Sequence, residues 1–116
     1  MITKGIRGAT TVDENTEKAI KEAVLELMFE IIRKNKLTGK EVSFVQFTVT
    51  NDITAAYPAR FVRESFKWCD VAFMCLPELE IENSLRMCVR VMVVVNCLEN
   101  FIPKFVYLKG AENLRK

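Results

Sequence analysis

The stretch Met87–Asn96, MCVRVMVVVN, limits the folds open to this chain more than any other. Its valines mark it as a β-strand, and successive strand side chains point to opposite faces. One face carries Met87, Val89, Val91, Val93 and Val95, the other Cys88, Arg90, Met92 and Val94. Neither face is polar, so the strand needs cover on both sides. A domain of 116 residues hides only about two-thirds of its unfolded surface by itself. An oligomer is the simplest cover for a second apolar face. Arg90 is the exception in the pattern. Arginine is almost never fully buried without a partner, and an unpaired buried charge is costly. Its partner is either an internal Asp or Glu, with the stem free to snorkel to the strand end, or the anion of a ligand.

The other elements are read by the same periodicities. ITKGIRGAT, residues 2–10, predicts a first strand in which Thr3, Gly5, Arg7 and Ala9 share a face. Small residues beside Arg7 are expected to leave room for a ligand against its guanidinium, since glycine in a strand often marks a close approach. Residues 16–35 predict a long helix, capped by Asn15 or Thr16, with Ile20, Val24, Leu27, Met28 and Ile31 on its core stripe. EVSFVQFTVT, 41–50, predicts a second strand. Pro58 suits the first position of a short helix, PARFVRESF, because its missing N–H costs nothing there. Residues 70–76 predict a third strand ending near Pro77 and Glu78, and 104–109 a short last strand with Tyr107. The order β-α-β-α-β-β-β points to one α+β domain, 1–116: a mixed sheet with one long and one short helix on one face.

Several function classes fall away. The 17 basic and 15 acidic residues nearly balance, so charge gives no reason to expect nucleic acid. No apolar run approaches 18 residues and no signal-like apolar core opens the chain, so no membrane partner is expected and the protein is read as cytoplasmic. Cys69, Cys75, Cys88 and Cys97 form no C-x-x-C pair, and histidine is absent. Neither a metal site nor a disulfide framework is expected. Lack of histidine also excludes Ser-His and Cys-His mechanisms.

What is left is an unusual polar inventory: Arg7 and Arg90 in strands, Arg60 and Arg63 on the short helix, Glu78 at a strand end, Tyr107 in the last strand. Guanidinium groups present donors in a fixed fork that matches carboxylates. Arg60 and Arg63 are explained equally well as solvated, because Glu64 follows Arg60 at i+4. Cys75 alone reads as a small core residue. Composition and periodicity lead to a pocket for a small polyanion and go no further.

Taken together, GIRGATTV before a long helix, AAYPARFVRE, CLPELE, CVRVMVVV and VYLKGAENLR resemble the small monofunctional bacterial chorismate mutases of the AroH class, in register from Gly5 to Arg115. The resemblance implies a chorismate-mutase-like, ferredoxin-like chain assembled as a homotrimer that forms a pseudo α/β barrel, with active sites at the subunit interfaces. It implies the rearrangement of chorismate to prephenate in phenylalanine and tyrosine biosynthesis, without a cofactor. Arg90, Glu78 and Arg7 would be catalytic. Arg7 and Tyr107 would hold a substrate carboxylate, Arg90 the ether oxygen, and Glu78 with the Cys75 region the ring hydroxyl. Tyr57, Ala59, Arg60, Arg63, Phe73 and Met74 would line the pocket from the adjoining subunit, with Leu114 and Arg115 near its mouth. Tyr57, Arg60 and Met74 stand where Phe, Lys and Thr are common in that class. Two other readings share the anion pocket: a trimeric imine/enamine deaminase, and a metabolite-binding module without turnover.

Overall fold

The computed structural model describes residues 1–114. Its strands are β1 (Ile2–Thr11), β2 (Val42–Val49), β3 (Ala72–Pro77), β4 (Cys88–Cys97) and β5 (Val106–Tyr107); its helices are α1 (Glu17–Asn35) and α2 (Pro58–Phe66). The expected element order is found. The last strand is the main departure: only Val106 and Tyr107 pair with β1, and Lys109–Ala111 turn into a 3-10 helix instead of extending it.

The five strands form one mixed sheet in the order β3-β2-β4-β1-β5. β4 lies at its centre, antiparallel to both β1 and β2, as its two apolar faces require. β2 and β3 are parallel, joined through α2, and β5 runs parallel to β1. Both helices cover one face. Ile20, Val24, Leu27, Met28 and Ile31 of α1, with Phe61 and Val62 of α2, meet Ile6, Val45, Phe47 and the odd-numbered valines of β4 in a single core. A bulge in β2 between Val42 and Phe44 lets both Val42 and Val45 face that core.

Local signals set the element ends. Thr16 is the cap of α1, its hydroxyl accepting the Ala19 N–H at 3.1 Å. Asn15 does different work: its Oδ1 accepts the N–H groups of Thr54 and Ala55 and so ties down the β2–α2 connection. Lys36 ends α1 in the left-handed conformation, with Leu37 N–H returning to Ile32 O. Asn35, nearly buried, donates to Ile31 O and Lys104 O and accepts the Lys104 N–H, which fixes the approach to β5.

The opposite face of the sheet is bare. Phe44, Met74 and Leu76 are 38%, 55% and 37% exposed, and Met92 and Val94 are half-buried beside them. The expected surplus of apolar surface is therefore present, and it lies on the face that carries Arg7 and Arg90.

Candidate active site

Strand register assembles the site. Arg90 is paired with Thr48 on β2 and with Ala9 on β1, and Ala9 is paired with Tyr107 on β5. One row across four strands therefore reads Thr48, Arg90, Ala9, Tyr107. Arg7 sits opposite Met92, one diagonal step from Arg90. Ala9 is the small residue of the row, and the hollow lies above it between the arginine and the phenol. Glu78, the residue after β3, closes one side; its N–H donates to Val49 O at 2.9 Å. These residues, with Gln46 and Met92, line a cleft of about 300 Å³.

Arg90 has an internal partner in the cleft. Its Nε lies 3.0 Å from Glu78 Oε2, with the two side chains 36% and 22% exposed. Of the two kinds of partner the sequence allows, the internal carboxylate is the one found, and it is Glu78. The contact is one of charge with charge, because the Nε–H makes no hydrogen bond. The Tyr107 hydroxyl is likewise buried without a hydrogen-bond partner. A buried polar group left unpaired is expensive, so both atoms point to a polar ligand that completes them. Glu78 is held from the other side by Thr48, whose hydroxyl donates to Oε2 at 2.6 Å.

The room expected beside Arg7 is filled on one flank. A Cβ at Gly5 would meet Met92 Sδ at 2.8 Å, so Met92 occupies the space that glycine leaves. Gly8 faces the helices, and there a Cβ would meet Ile31 Cδ1 at 2.7 Å. The missing side chain of that glycine makes room for α1.

The remaining residues singled out by the sequence lie elsewhere in the same chain. Tyr57, 74% exposed and preceding α2, lines an apolar groove of about 580 Å³ with Arg60 and Cys75. Arg60 is engaged at 2.6 Å with Glu17 and at 2.9 Å with Glu64, the second being the i+4 pair expected of a solvated arginine. Ala59 is buried, Arg63 is exposed, and Phe73 packs on the helical side of the sheet. Met74 is on the bare face, in register with Gln46. Leu114 packs behind Tyr107 in a small cluster with Ala9, Cys88 and Ala111. Arg115 lies outside the described residues. The arginine–glutamate–tyrosine cleft and the Tyr57 groove are thus two separate surfaces of one chain. Another hollow, about 480 Å³ under residues 78–86, shares only Glu78 with the cleft.

Cys88 borders Arg90 on the same face of β4. Burial pushes its thiol above the usual range, with the Arg90 charge opposing to a lesser degree. Cys75 is raised by burial too. Among the described residues, no group of three or more His, Cys, Asp or Glu side chains is placed to hold a metal ion.

Sequence reasoning missed Thr48 and Gln46. The signal was present: they alternate with Val45 and Phe47 as the polar face of a strand.

Comparison with known proteins adds an independent line. The family model described as chorismate mutase type I matches residues 3–116. The chorismate mutase AroH of Bacillus subtilis (strain 168) is 37% identical over 119 residues, covering 99% of this chain and 91% of that one. The Thermus thermophilus chorismate mutase AroH is 35% identical over 114 residues, covering 97% and 93%. A solved chorismate mutase from Clostridium thermocellum superposes with a TM-score of 0.87 at 40% identity, over 93% of this chain and 96% of that one.

Proposed function

The chain belongs to the type I chorismate mutases, and we propose that it rearranges chorismate to prephenate in the cleft formed by Arg7, Glu78, Arg90 and Tyr107. The observation that carries the site assignment is the pair of unsatisfied buried donors, Arg90 Nε–H and Tyr107 O–H, on two residues that line one cleft together with a second guanidinium, Arg7.

The reaction is an isomerisation within one molecule. A C–O bond breaks ahead of C–C bond formation, and negative charge grows on the ether oxygen. No nucleophile and no proton transfer are needed, which fits a chain without histidine. A fixed guanidinium facing that oxygen stabilises the transition state more than the substrate. One such donor is worth roughly 3–4 kcal/mol, and even modest enzymes need about 8 kcal/mol. The rest comes from holding the substrate in its compact reactive shape. Arg7 and Tyr107 grip a carboxylate for that purpose, and Glu78 accepts from the ring hydroxyl. Glu78 keeps one oxygen on Arg90 and offers the other to the substrate.

The same reading takes residues 1–116 as one chorismate mutase domain, working as a cytoplasmic homotrimer. In it the bare sheet face is covered by other copies. Tyr57, Arg60, Met74 and Cys75 of one copy then meet the cleft of the next, which would join the two surfaces that stand apart in the single chain. Ala59 and Phe73 support that second wall from behind, and Arg63 and Leu114 border its opening.

The test is the loss of chorismate absorbance with purified protein, with prephenate identified as product. Turnover of an imine but not of chorismate would replace the reading with a deaminase. Tight binding of chorismate without turnover would replace it with a binding module.

A further inference from the structure

We propose that Thr48 is a positioning residue for this reaction: its hydroxyl fixes the Glu78 carboxylate so that one oxygen faces Arg90 and the other is left open to the substrate hydroxyl. The inference rests on the reading of Glu78 as the acceptor for that hydroxyl.

Glu78 is poorly placed to hold itself. It lies just beyond the end of β3, half-buried, immediately before the exposed run 79–84. Its backbone N–H is anchored on Val49 O, but that bond leaves the side-chain rotations free. A glutamate beside an arginine, with nothing else to hold it, closes on the guanidinium as a bidentate pair. Such a pair would occupy the donors that the substrate needs. Thr48 prevents this. It sits on β2, paired with Arg90 on one side and with Leu76 on the other. Its Oγ1 donates to Glu78 Oε2 at 2.6 Å, while the same oxygen lies 3.0 Å from Arg90 Nε. Threonine is branched at Cβ and stiff about χ1, so the hydroxyl is a fixed peg on a rigid strand. Both constraints act on Oε2. Among the described residues, Oε1 accepts no hydrogen bond, and it is the oxygen left for a ligand.

The experiment compares wild-type protein with Thr48→Val, Thr48→Ser, Glu78→Ala and the Thr48→Val/Glu78→Ala double variant, reading kcat and KM for chorismate. Valine keeps the shape and suits a strand; serine keeps the hydroxyl. Thr48→Val should lower kcat/KM by about ten- to a hundred-fold, the range expected when a contact group is misplaced. KM should rise as well, because a freed Glu78 competes for Arg90. Thr48→Ser should recover most of the loss. In the Glu78→Ala background, Thr48→Val should cost nothing further. Wild-type kinetics in Thr48→Val, no recovery in Thr48→Ser, or an equal loss with and without Glu78 would each overturn the role of Thr48 while leaving the mutase reading intact. A wild-type protein that leaves chorismate unchanged would overturn that reading instead.

Discussion

Arg90 shows how one side chain serves both stability and chemistry. Its ion pair with Glu78 is partly exposed and lacks a made Nε–H hydrogen bond, so it contributes little to folding, on the order of 0–1 kcal/mol. Its value as a donor to a developing charge is larger. Arg90→Ala is expected to lower kcat by about a hundred- to a thousand-fold while shifting the urea midpoint only slightly. A loss of folding in step with activity would make Arg90 a structural residue. Arg90→Lys should recover little activity, because an ammonium lacks the fork; near-normal turnover would refute the geometric argument. The strand arginines were legible in the sequence because period two placed each on a face where a charge had no obvious business. That the nearest carboxylate was Glu78 was not legible from spacing, since the pair depends on β3 and β4 lying on opposite sides of β2. The place of Thr48 on the polar face of β2 was legible, but its pairing with Glu78 was not, because the two are 30 residues apart. Room beside Arg7 is present on the Ala9 side, but the Gly5 flank is filled by Met92, which arrives from another strand.

At the level of elements, the connections are pinned as firmly as the strands. Asp52, in the β2–α2 connection, accepts the Met87 N–H through both carboxylate oxygens and the Thr50 hydroxyl through one. Asn51 reaches Glu80 across the same gap. This bracket holds the root of β4 three residues from Arg90. Burial alone would raise the Asp52 carboxyl, but the Thr50 hydroxyl, the Met87 amide and the charge of Arg86 outweigh it, and the group titrates below the ordinary range. A depressed carboxyl adds stability that is present above its unfolded pKa and lost as pH falls through the folded one. Asp52→Asn should therefore be less stable near neutrality and should lose less on acidification than the wild type. Urea midpoints followed from neutral to acid pH would show it, and parallel pH curves for the two proteins would count against it. Gly8 gives a second check. A methyl group there meets Ile31 from α1 and Val106 O from β5, so Gly8→Ala should cost about 1–3 kcal/mol by overpacking, read from the same denaturation. The helices and long strands were legible because each carries its own period. β5 was overestimated because its limits come from pairing with β1 and from the turn at Lys109, where φ is +50°.

At the level of the molecule, one face of the sheet is covered by helices and the other is bare. Phe44 and Met74 stand on the bare face, on neighbouring strands. A charge placed there should separate the copies without harming the chain. Phe44→Glu is expected to sediment as a monomer with wild-type helix content and to lose chorismate turnover, and the wild type is expected to sediment as a trimer. A monomeric variant with full activity would mean that the cleft needs no second copy. The surplus of apolar surface was legible from β4 alone; which face stays bare was not, because that depends on where α1 and α2 dock.

The order of strands also governs when the cleft comes into being. β1 is made first, yet both of its neighbours, β4 and β5, come from the last third of the chain. Arg7 therefore waits, without a hydrogen-bonded strand beside it, until synthesis has passed Arg90 and Tyr107. Closing so long a loop is slow, and no shorter intermediate can contain the site. Recovery of turnover during refolding should lag behind formation of α1 and cannot precede the joining of the first strand to the last, so that catalysis reports only chains whose two ends have met.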